Sequence, residues 1–212
     1  MIDCAVLVAM GVREEDGKRT LLGVSVSLSE AEVHWRAFLE GLRQRGLQVA
    51  KLITGDDHAG LRAARRAVFP LPWQRCQFHL QQNAQAYVPN VALRPQVARD
   101  LRSVSNTAER GEADERLAKL VDKYRRPAPK LAEWMEANVP DGLAVFAVPE
   151  PHRRRLRTTN ALERLNRELH RRTRVATLFP NEASLLRLVS AMAAEISEEW
   201  ETGRIYLNPE SE

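Results

Sequence analysis

Residues 4–28 have the sequence CAVLVAMGVREEDGKRTLLGVSVSL, and this stretch decides the fold class. Residues 4–12 form a continuous apolar run, which is typical of a buried strand. Residues 15–18, Glu-Asp-Gly-Lys, are typical of a tight turn, and residues 21–28 alternate with β-branched side chains. The sequence therefore predicts an antiparallel hairpin that begins an α/β domain.

Helices and strands alternate after this hairpin. Residues 29–32, SEAE, have the capping-box pattern that opens a helix, and Gly46 ends that helix. Residues 49–54 predict a short strand, followed by a helix that ends before Pro70. Residues 73–78 predict a further strand, so the first part of the chain has the element order of an α/β fold.

The chain becomes helical and polar beyond this point. We expect residues 1–79 to form the first part of an α/β core, residues 80–150 an all-helical insertion, and residues 151–212 a return to the core. A helix is predicted to begin near Asn160, and residues 182–202 predict the last one.

Composition excludes some classes of protein. No apolar run of the 212 residues approaches the ~20 needed for a membrane span, which argues against a membrane partner. The first residues lack the basic n-region of a secretory signal. Two cysteines are too few for a disulfide scaffold and fit a reducing compartment, so we expect a cytoplasmic protein.

Positive charge is concentrated in residues 153–174, which contain nine arginines and two glutamates and so have a net charge of +7. The net charge of the whole chain is +4, so the residues outside this window have a negative net charge. Guanidinium groups suit phosphate oxygens, and the block predicts a nucleic-acid-binding surface. The alternative is a solvated helix face with i,i+4 ion pairs, Arg164 with Glu168 and Glu163 with Arg167. Eight of the nine, all except Arg164, are the candidate nucleic-acid-binding residues: Arg153, Arg154, Arg155, Arg157, Arg167, Arg171, Arg172 and Arg174.

Asp56 lies where a predicted strand ends and a helix begins, the usual place for functional side chains in open α/β sheets. A carboxylate at this position can hold a divalent cation. The alternative is that Asp56 or Asp57 caps the following helix, stabilising it by ~1 kcal/mol. Spacing alone favours the cap.

Glu163 lies in the helical stretch TTNALERLNRELHRRTR, on the side opposite the leucine stripe. Such a carboxylate can be a metal ligand in a phosphate-facing basic groove. A paired surface charge, or a capping box with Asn160, explains the same pattern. The residue pattern alone favours these structural explanations.

Cys76 and His79 form a C-x-x-H pair in WQRCQFH. Two ligands do not complete a structural zinc site, and the pair is more often used for packing and orientation. A Cys–His hydrolase lacks an oriented third group in this sequence.

Several stretches in order resemble the bacterial mutator-type transposases, insertion-sequence enzymes with a DDE catalytic site. The resemblance covers essentially the whole chain, and no single segment is specific on its own. The stretches are LLGVSVSLSEAEVHWRAFLEGLRQRGL at 21–47, GDDHAGLRAARRAVFP at 55–70, WQRCQFHLQQNAQAYVP at 73–89, HRRRLRTTNALERLNRELHRRTRV at 152–175 and FPNEASLLRLVSAMAAEISEEWETGRIYL at 179–207.

This resemblance implies an RNase H-like core interrupted by the helical insertion. It implies that Asp56 and Glu163 are two of the three catalytic and metal-binding acids, with Cys76 and His79 as supporting residues. The cofactor would be Mg²⁺, with Mn²⁺ an equal geometric fit. Double-stranded DNA, both transposon ends and target, would be held by the arginine block.

The family's first catalytic Asp lies on a strand upstream of the stretch that matches residues 4–12. Asp3 is close to that end but matches no catalytic position, so we expect a fragment that lacks this strand and its Asp and is inactive alone. A non-catalytic remnant that binds DNA or full-length transposase is one alternative. A helical protein whose arginines bind an acidic partner is another, and the sequence leaves homo-oligomerisation open.

Overall fold

We describe a computed structural model, which covers residues 4–47, 50–173 and 179–210. The chain is mixed α/β and mostly helical, with two two-stranded sheets among these residues. The strands are β1 (Ala5–Val12), β2 (Arg19–Ser27), β3 (Ile53–Gly55) and β4 (Trp73–Arg75). The helices are α1 (Glu32–Gln44), α2 (Ala59–Val68), α3 (Gln77–Ala84), α4 (Arg94–Ser105), α5 (Arg110–Arg125), α6 (Pro129–Asn138), α7 (Glu150–Leu156), α8 (Asn160–Thr173) and α9 (Glu182–Thr202).

The chain divides into two compact units, and both are assembled from separated segments. The first unit contains Met1–Ala50, His58–Leu71 and Asn160–Glu212, which include β1, β2, α1, α2, α8 and α9. The second unit contains Lys51–Asp57 and Pro72–Thr159, which include β3, β4 and the helices α3 to α7.

The predicted hairpin is confirmed in the first unit. Strands β1 and β2 pair antiparallel, with Val8 opposite Val24 and a register shift after Ala9. Gly17 closes the connection with a φ of 65°, and a Cβ at this position would lie 1.7 Å from the Leu207 carbonyl oxygen. Only glycine adopts this backbone and this close approach without strain.

Helices α8 and α9 cover one face of this hairpin. The buried side chains that form this core are Val8, Leu165, Leu169, Val189, Met192, Ala193 and Ile196. The helix predicted at residues 182–202 has the expected bounds, and the Asn181 carboxamide oxygen accepts a hydrogen bond from the Ser184 backbone N–H to cap it.

The predicted capping box at residues 29–32 is wrong. Helix α1 begins at Glu32, and its N-cap residue, Ala31, makes no side-chain capping bond. Ser29 does not cap the helix, because its Oγ accepts a hydrogen bond from the Ala31 backbone N–H, two residues further on. A short polar side chain can close such a local turn instead of capping a helix.

The parallel strands β3 and β4 of the second unit are shorter than predicted. Strand β3 begins at Ile53, and residue 49 of the predicted strand lies outside the described residues. Strand β4 ends at Arg75, and residues 77 and 78 already belong to α3, so the strand predicted for residues 73–78 is wrong in its second half.

Helices α3 to α6 form the core of the second unit around a continuous apolar cluster. Fully buried members include Ala84, Val97, Val104, Leu131 and Met135. Pro95 and Pro129 lie in the first turns of α4 and α6, where a missing N–H costs no hydrogen bond. Among the described residues, no helix combines the length and apolar character that a bilayer crossing requires.

Candidate active site

The candidate site lies at the carboxyl ends of two neighbouring parallel strands in the second unit. Ile53 of β3 pairs with Trp73 of β4, and Gly55 pairs with Arg75. The Cys76 backbone N–H donates to the Gly55 carbonyl at 2.8 Å and continues the ladder by one residue. The residues that follow the two strands, Asp56 and Cys76, therefore leave the same edge of the sheet.

Asp56 contacts His79 directly. The distance from Asp56 Oδ1 to His79 Nδ1 is 2.6 Å, with the Asp56 side chain 49% exposed and the His79 side chain 28% exposed. His79 lies in the first turn of α3, three residues after Cys76, so the helix turns its ring back towards the end of β3. The sequence predicted supporting roles for Cys76 and His79, and the structure brings both beside Asp56.

Neither Asp56 nor Asp57 caps α2, so the prediction of a helix cap, which their spacing favoured, is wrong. The N-cap position of α2 is His58, which contributes no side-chain hydrogen bond. Asp57 instead forms an ion pair with Arg75, with a distance of 3.1 Å from Oδ2 to Nη1. The two adjacent acids thus have different partners, and Asp56 keeps a solvent-accessible carboxylate.

Arg75 was not predicted as a site residue, although its side chain is only 2% exposed. Its Nη1 also donates to Asn138 Oδ1 at 2.9 Å, and its guanidinium lies 5.7 Å from the centre of the Trp134 ring. A buried arginine needs such partners, because an isolated buried charge is very costly. The arginine links the segment after β3 to helix α6.

Thr159 is a second residue that sequence reasoning missed. Its backbone N–H and its Oγ1 lie 3.4 Å and 3.2 Å from the sulfur of Cys76, which is fully buried. The same Oγ1 lies 3.4 Å from Asp56 Oδ1. A hydroxyl donates one hydrogen, so it can bond the sulfur or the carboxylate but not both at once. The only sequence signal was its place in TTN, just before the stretch that contains Glu163.

The segment before Thr159 is fixed to the same strands. Thr54 Oγ1 donates to the Leu156 carbonyl at 2.7 Å, and the Gln77 backbone N–H donates to the Arg157 carbonyl at 3.0 Å. These bonds join residues 102 and 80 positions apart and hold the chain beside the ends of β3 and β4.

Asp56, Cys76 and His79 together form a group that could hold a metal ion. One ligand atom from each lies within 4.8 Å of the others. The Asp56 carboxylate also fits Mg²⁺, which takes one or two carboxylates and fills its other positions with water and substrate phosphate. Mg²⁺ does not favour a thiol or an imidazole, so it would use Asp56 alone of these three residues.

Glu163 lies in the first turn of α8 and is half-buried. This residue belongs to the first unit, whereas Asp56 belongs to the second. Its role as the second carboxylate of the site stays a prediction.

The arginines of α7 have two different environments. Arg153 donates from Nε to the Val148 carbonyl at 3.0 Å and from Nη1 to the Ala108 carbonyl at 2.6 Å. Arg157 donates to Asn106 Oδ1 at 2.8 Å, and burial, with repulsion from Arg154, lowers its pKa. Arg153 and Arg157 therefore stabilise the fold, whereas Arg154 and Arg155 are exposed.

The arginines of α8 also divide into two groups. Glu168 binds Arg171 and Arg172 with N–O distances of 2.7 Å, and these hydrogen bonds lower the pKa of the Glu168 carboxyl to about 2. The i,i+4 partner that the sequence suggested for Glu168, Arg164, is not the one it takes. Arg167 is exposed, and Arg174 lies outside the described residues.

Comparison with known proteins identifies the class of this chain. A family model described as transposase, mutator family, matches residues 1–203. The chain therefore belongs to the mutator family of transposases, as the sequence resemblance predicted.

Three relatives show how far this similarity extends. The chain is 56% identical to the transposase for insertion sequence element IS406 of Burkholderia multivorans, over 98% of this chain and 54% of that protein. It is 39% identical to the ISRM5 transposase of Rhizobium meliloti, over 96% of this chain and 51% of the relative. It is 32% identical to the IS256 transposase of transposon Tn4001 from Staphylococcus aureus, over 95% and 52%. The chain thus spans about half the length of these curated relatives.

Proposed function

We propose that this chain forms catalytic machinery of a DNA transposase, which cleaves and joins phosphodiester bonds at insertion-sequence ends. The observation that carries the proposal is the Asp56 carboxylate, which leaves the end of β3 beside Cys76 and His79 in a member of the mutator family. This is the edge at which open α/β sheets bind ligands.

The fold we propose is RNase H-like. The hairpin β1–β2, the parallel strands β3 and β4, and helix α8 supply elements of such a core, and α3 to α6 supply the helical insertion. The segmented composition of both units supports an insertion rather than two consecutive domains.

Asp56 and Glu163 are the two carboxylates we assign to divalent metal, Mg²⁺ or Mn²⁺. Their pairing rests on family membership, and the accessible carboxylate of Asp56 supports it. When bound, the metal would activate the attacking hydroxyl and stabilise the leaving oxygen. The family resemblance implies a third carboxylate, which we assign to no residue of this chain.

The chain's own residues prepare Asp56 for this role. His79 contacts one of its oxygens, Thr159 lies within reach of the same atom, and Arg75 holds the neighbouring Asp57. These contacts restrict the position of the Asp56 carboxylate before substrate binds. Less conformational entropy is then lost when the site orders for reaction.

Duplex DNA is the proposed substrate, held through its phosphates. Arg154, Arg155 and Arg167 are exposed and are the arginines we assign most directly to this contact. Arg171 and Arg172 have carboxylate partners, so they would have to exchange Glu168 for phosphate. Phosphate contacts of this kind position the protein without reading sequence.

Iron-directed cleavage tests the metal assignment on the chain as it stands. Fe²⁺ replaces Mg²⁺ at a carboxylate site, and with ascorbate and peroxide it cuts the backbone near its ligands. We expect cuts near both residue 56 and residue 163, suppressed by excess Mg²⁺, with the cuts near residue 163 lost in Asp56→Asn and also in Glu163→Gln.

The matched control is Glu115→Gln, which removes one exposed carboxylate from α5 and should leave the pattern unchanged. Cuts near residue 163 that persist undiminished in Asp56→Asn would show that the two carboxylates do not share a metal.

A further inference from the structure

The cluster of Asp56, Cys76 and His79 has a chemistry that phosphoryl transfer does not use. Oxygen-seeking Mg²⁺ needs only the carboxylate, yet a thiol and an imidazole lie within 4.8 Å of it and of each other. Cysteine, histidine and aspartate are together the ligand types of zinc and similar cations.

The distances are close to those of a zinc site. Ligands on a tetrahedral zinc lie at 2.0–2.3 Å from the metal, which places them roughly 3.3–3.6 Å from one another. The Asp56–His79 contact of 2.6 Å would have to open by about 1 Å, and a separation of up to 4.8 Å would have to close by about as much. The ligand atoms would therefore have to move by about 1 Å to coordinate zinc.

The thiol is already fixed in place. Cys76 is fully buried, and its backbone N–H is bonded to Gly55. The Thr159 backbone N–H and hydroxyl lie at hydrogen-bond distance from its sulfur. Donors aimed at sulfur are characteristic outer contacts of metal-bound thiolates, because they stabilise the negative charge and orient the ligand.

The surroundings of Cys76 differ from those of a cysteine that only fills space. A packing cysteine behaves as a small hydrophobic side chain among apolar neighbours. Here a carboxylate, an imidazole and a hydroxyl approach the sulfur from three segments, which follow β3, begin α3 and precede α8. The C-x-x-H pair supplies only two metal ligands. The pairing of β3 with β4 brings Asp56 beside the pair as the third.

We propose that Asp56, Cys76 and His79 bind a thiophilic divalent cation of the zinc class. One carboxylate oxygen, the sulfur and one ring nitrogen are the protein ligands, and water takes the fourth position. Binding forms the metal–sulfur bond and releases the thiol proton to solvent, with no change in oxidation state. The site does not require Glu163 and goes beyond the proposed transposase chemistry.

Cobalt spectroscopy tests this site in the whole chain. Co²⁺ substitutes for zinc, and a cobalt–thiolate bond gives a charge-transfer band in the near ultraviolet, which oxygen and nitrogen ligands do not give. We expect one equivalent of Co²⁺ to produce this band together with the intense visible bands of tetrahedral geometry, and zinc to remove both.

The second cysteine of the chain provides the control. Cys76→Ser should abolish the charge-transfer band and Cys4→Ser should retain it, since Cys4 lies in the other unit. His79→Gln should weaken Co²⁺ binding at least about tenfold. Glu163→Gln should leave the spectrum unchanged, so this result is independent of the iron-cleavage experiment.

Cadmium NMR of the unsubstituted protein gives an answer even if Cys76→Ser does not fold. One ¹¹³Cd resonance in the range of single-thiolate coordination supports the proposal. A resonance in the all-oxygen range, or a charge-transfer band that survives in folded Cys76→Ser, would overturn it. Absence of any cobalt or cadmium signal from the folded chain would overturn it as well.

Discussion

The guanidinium of Arg75 and the carboxylate of Asp57 lie 3.1 Å apart, with the arginine side chain almost entirely buried. Asp57 is the residue next to Asp56, so this ion pair determines where the candidate metal ligand can lie. The pair links the end of β3 to β4, and the Arg75–Asn138 hydrogen bond extends the connection to α6.

Replacing Arg75 should therefore destabilise the second unit. Arg75→Met removes the ion pair with Asp57 and the hydrogen bond to Asn138 Oδ1, and we expect a loss of about 2–4 kcal/mol in the free energy of unfolding. Urea denaturation followed by circular dichroism measures this. Arg125→Met removes an arginine from an exposed pair with Asp122 and should change stability by less than about 0.5 kcal/mol. Equal effects of the two substitutions would refute a structural role for Arg75.

The Glu168 ion-pair network predicts a pH dependence in the first unit. Hydrogen bonds from Arg171 and Arg172 lower the pKa of the Glu168 carboxyl from 4.5 to about 2. A depressed carboxyl pKa stabilises the folded state above the unfolded pKa, and this contribution disappears as the pH falls through the folded value.

The expected measurement is the thermal midpoint between pH 5 and pH 2. Glu168→Gln should flatten its decline between about pH 4.5 and pH 2, and high salt should reduce the difference because the carboxylate is exposed to screening. Glu115→Gln serves as the exposed control. An unchanged slope in Glu168→Gln would show that the arginines do not hold this carboxylate in solution.

The two environments of the arginines predict different effects on DNA binding. Arg167→Gln and Arg154→Gln should each weaken binding to duplex DNA of any sequence and should reduce the slope of log K against log salt by about 1. The structure gives these side chains exposed positions on α8 and α7. Arg99→Gln, an exposed arginine on α4, is the control and should leave the slope unchanged.

Arg153 should behave differently from Arg154 although the two are adjacent. Arg153 bonds backbone carbonyls, so Arg153→Met should lower stability rather than change the salt slope alone. A salt slope insensitive to both Arg154 and Arg167 would remove these two residues from the DNA-binding surface.

Local sequence signals predicted the elements that depend on local interactions. The β1–β2 hairpin, the end of α2 before Pro70 and the bounds of α9 all follow from apolar periodicity and turn or cap residues a few positions apart. The end of β4 was missed because Cys76 turns the chain into α3 immediately after Arg75.

The site was only partly predictable because its contacts connect distant segments. Asp56, Cys76 and His79 were each recognised as candidates, but their proximity depends on the parallel pairing of β3 with β4. Arg75 had no local signal and Thr159 had only its place in TTN, since their partners lie in other segments of the second unit. For the same reason local spacing favoured a helix cap for Asp56, which the structure does not show.

A segment exchange tests the central claim most directly. In the IS406 transposase of Burkholderia multivorans, the 209 matching residues are replaced by those of this chain, and excision of the element is measured. We predict excision by the exchanged protein, a loss of at least about a hundredfold in Asp56→Asn and in Glu163→Gln, and normal excision in Glu115→Gln. Excision that survives either of the first two substitutions, or no excision by an exchanged protein present at normal levels, would contradict the account.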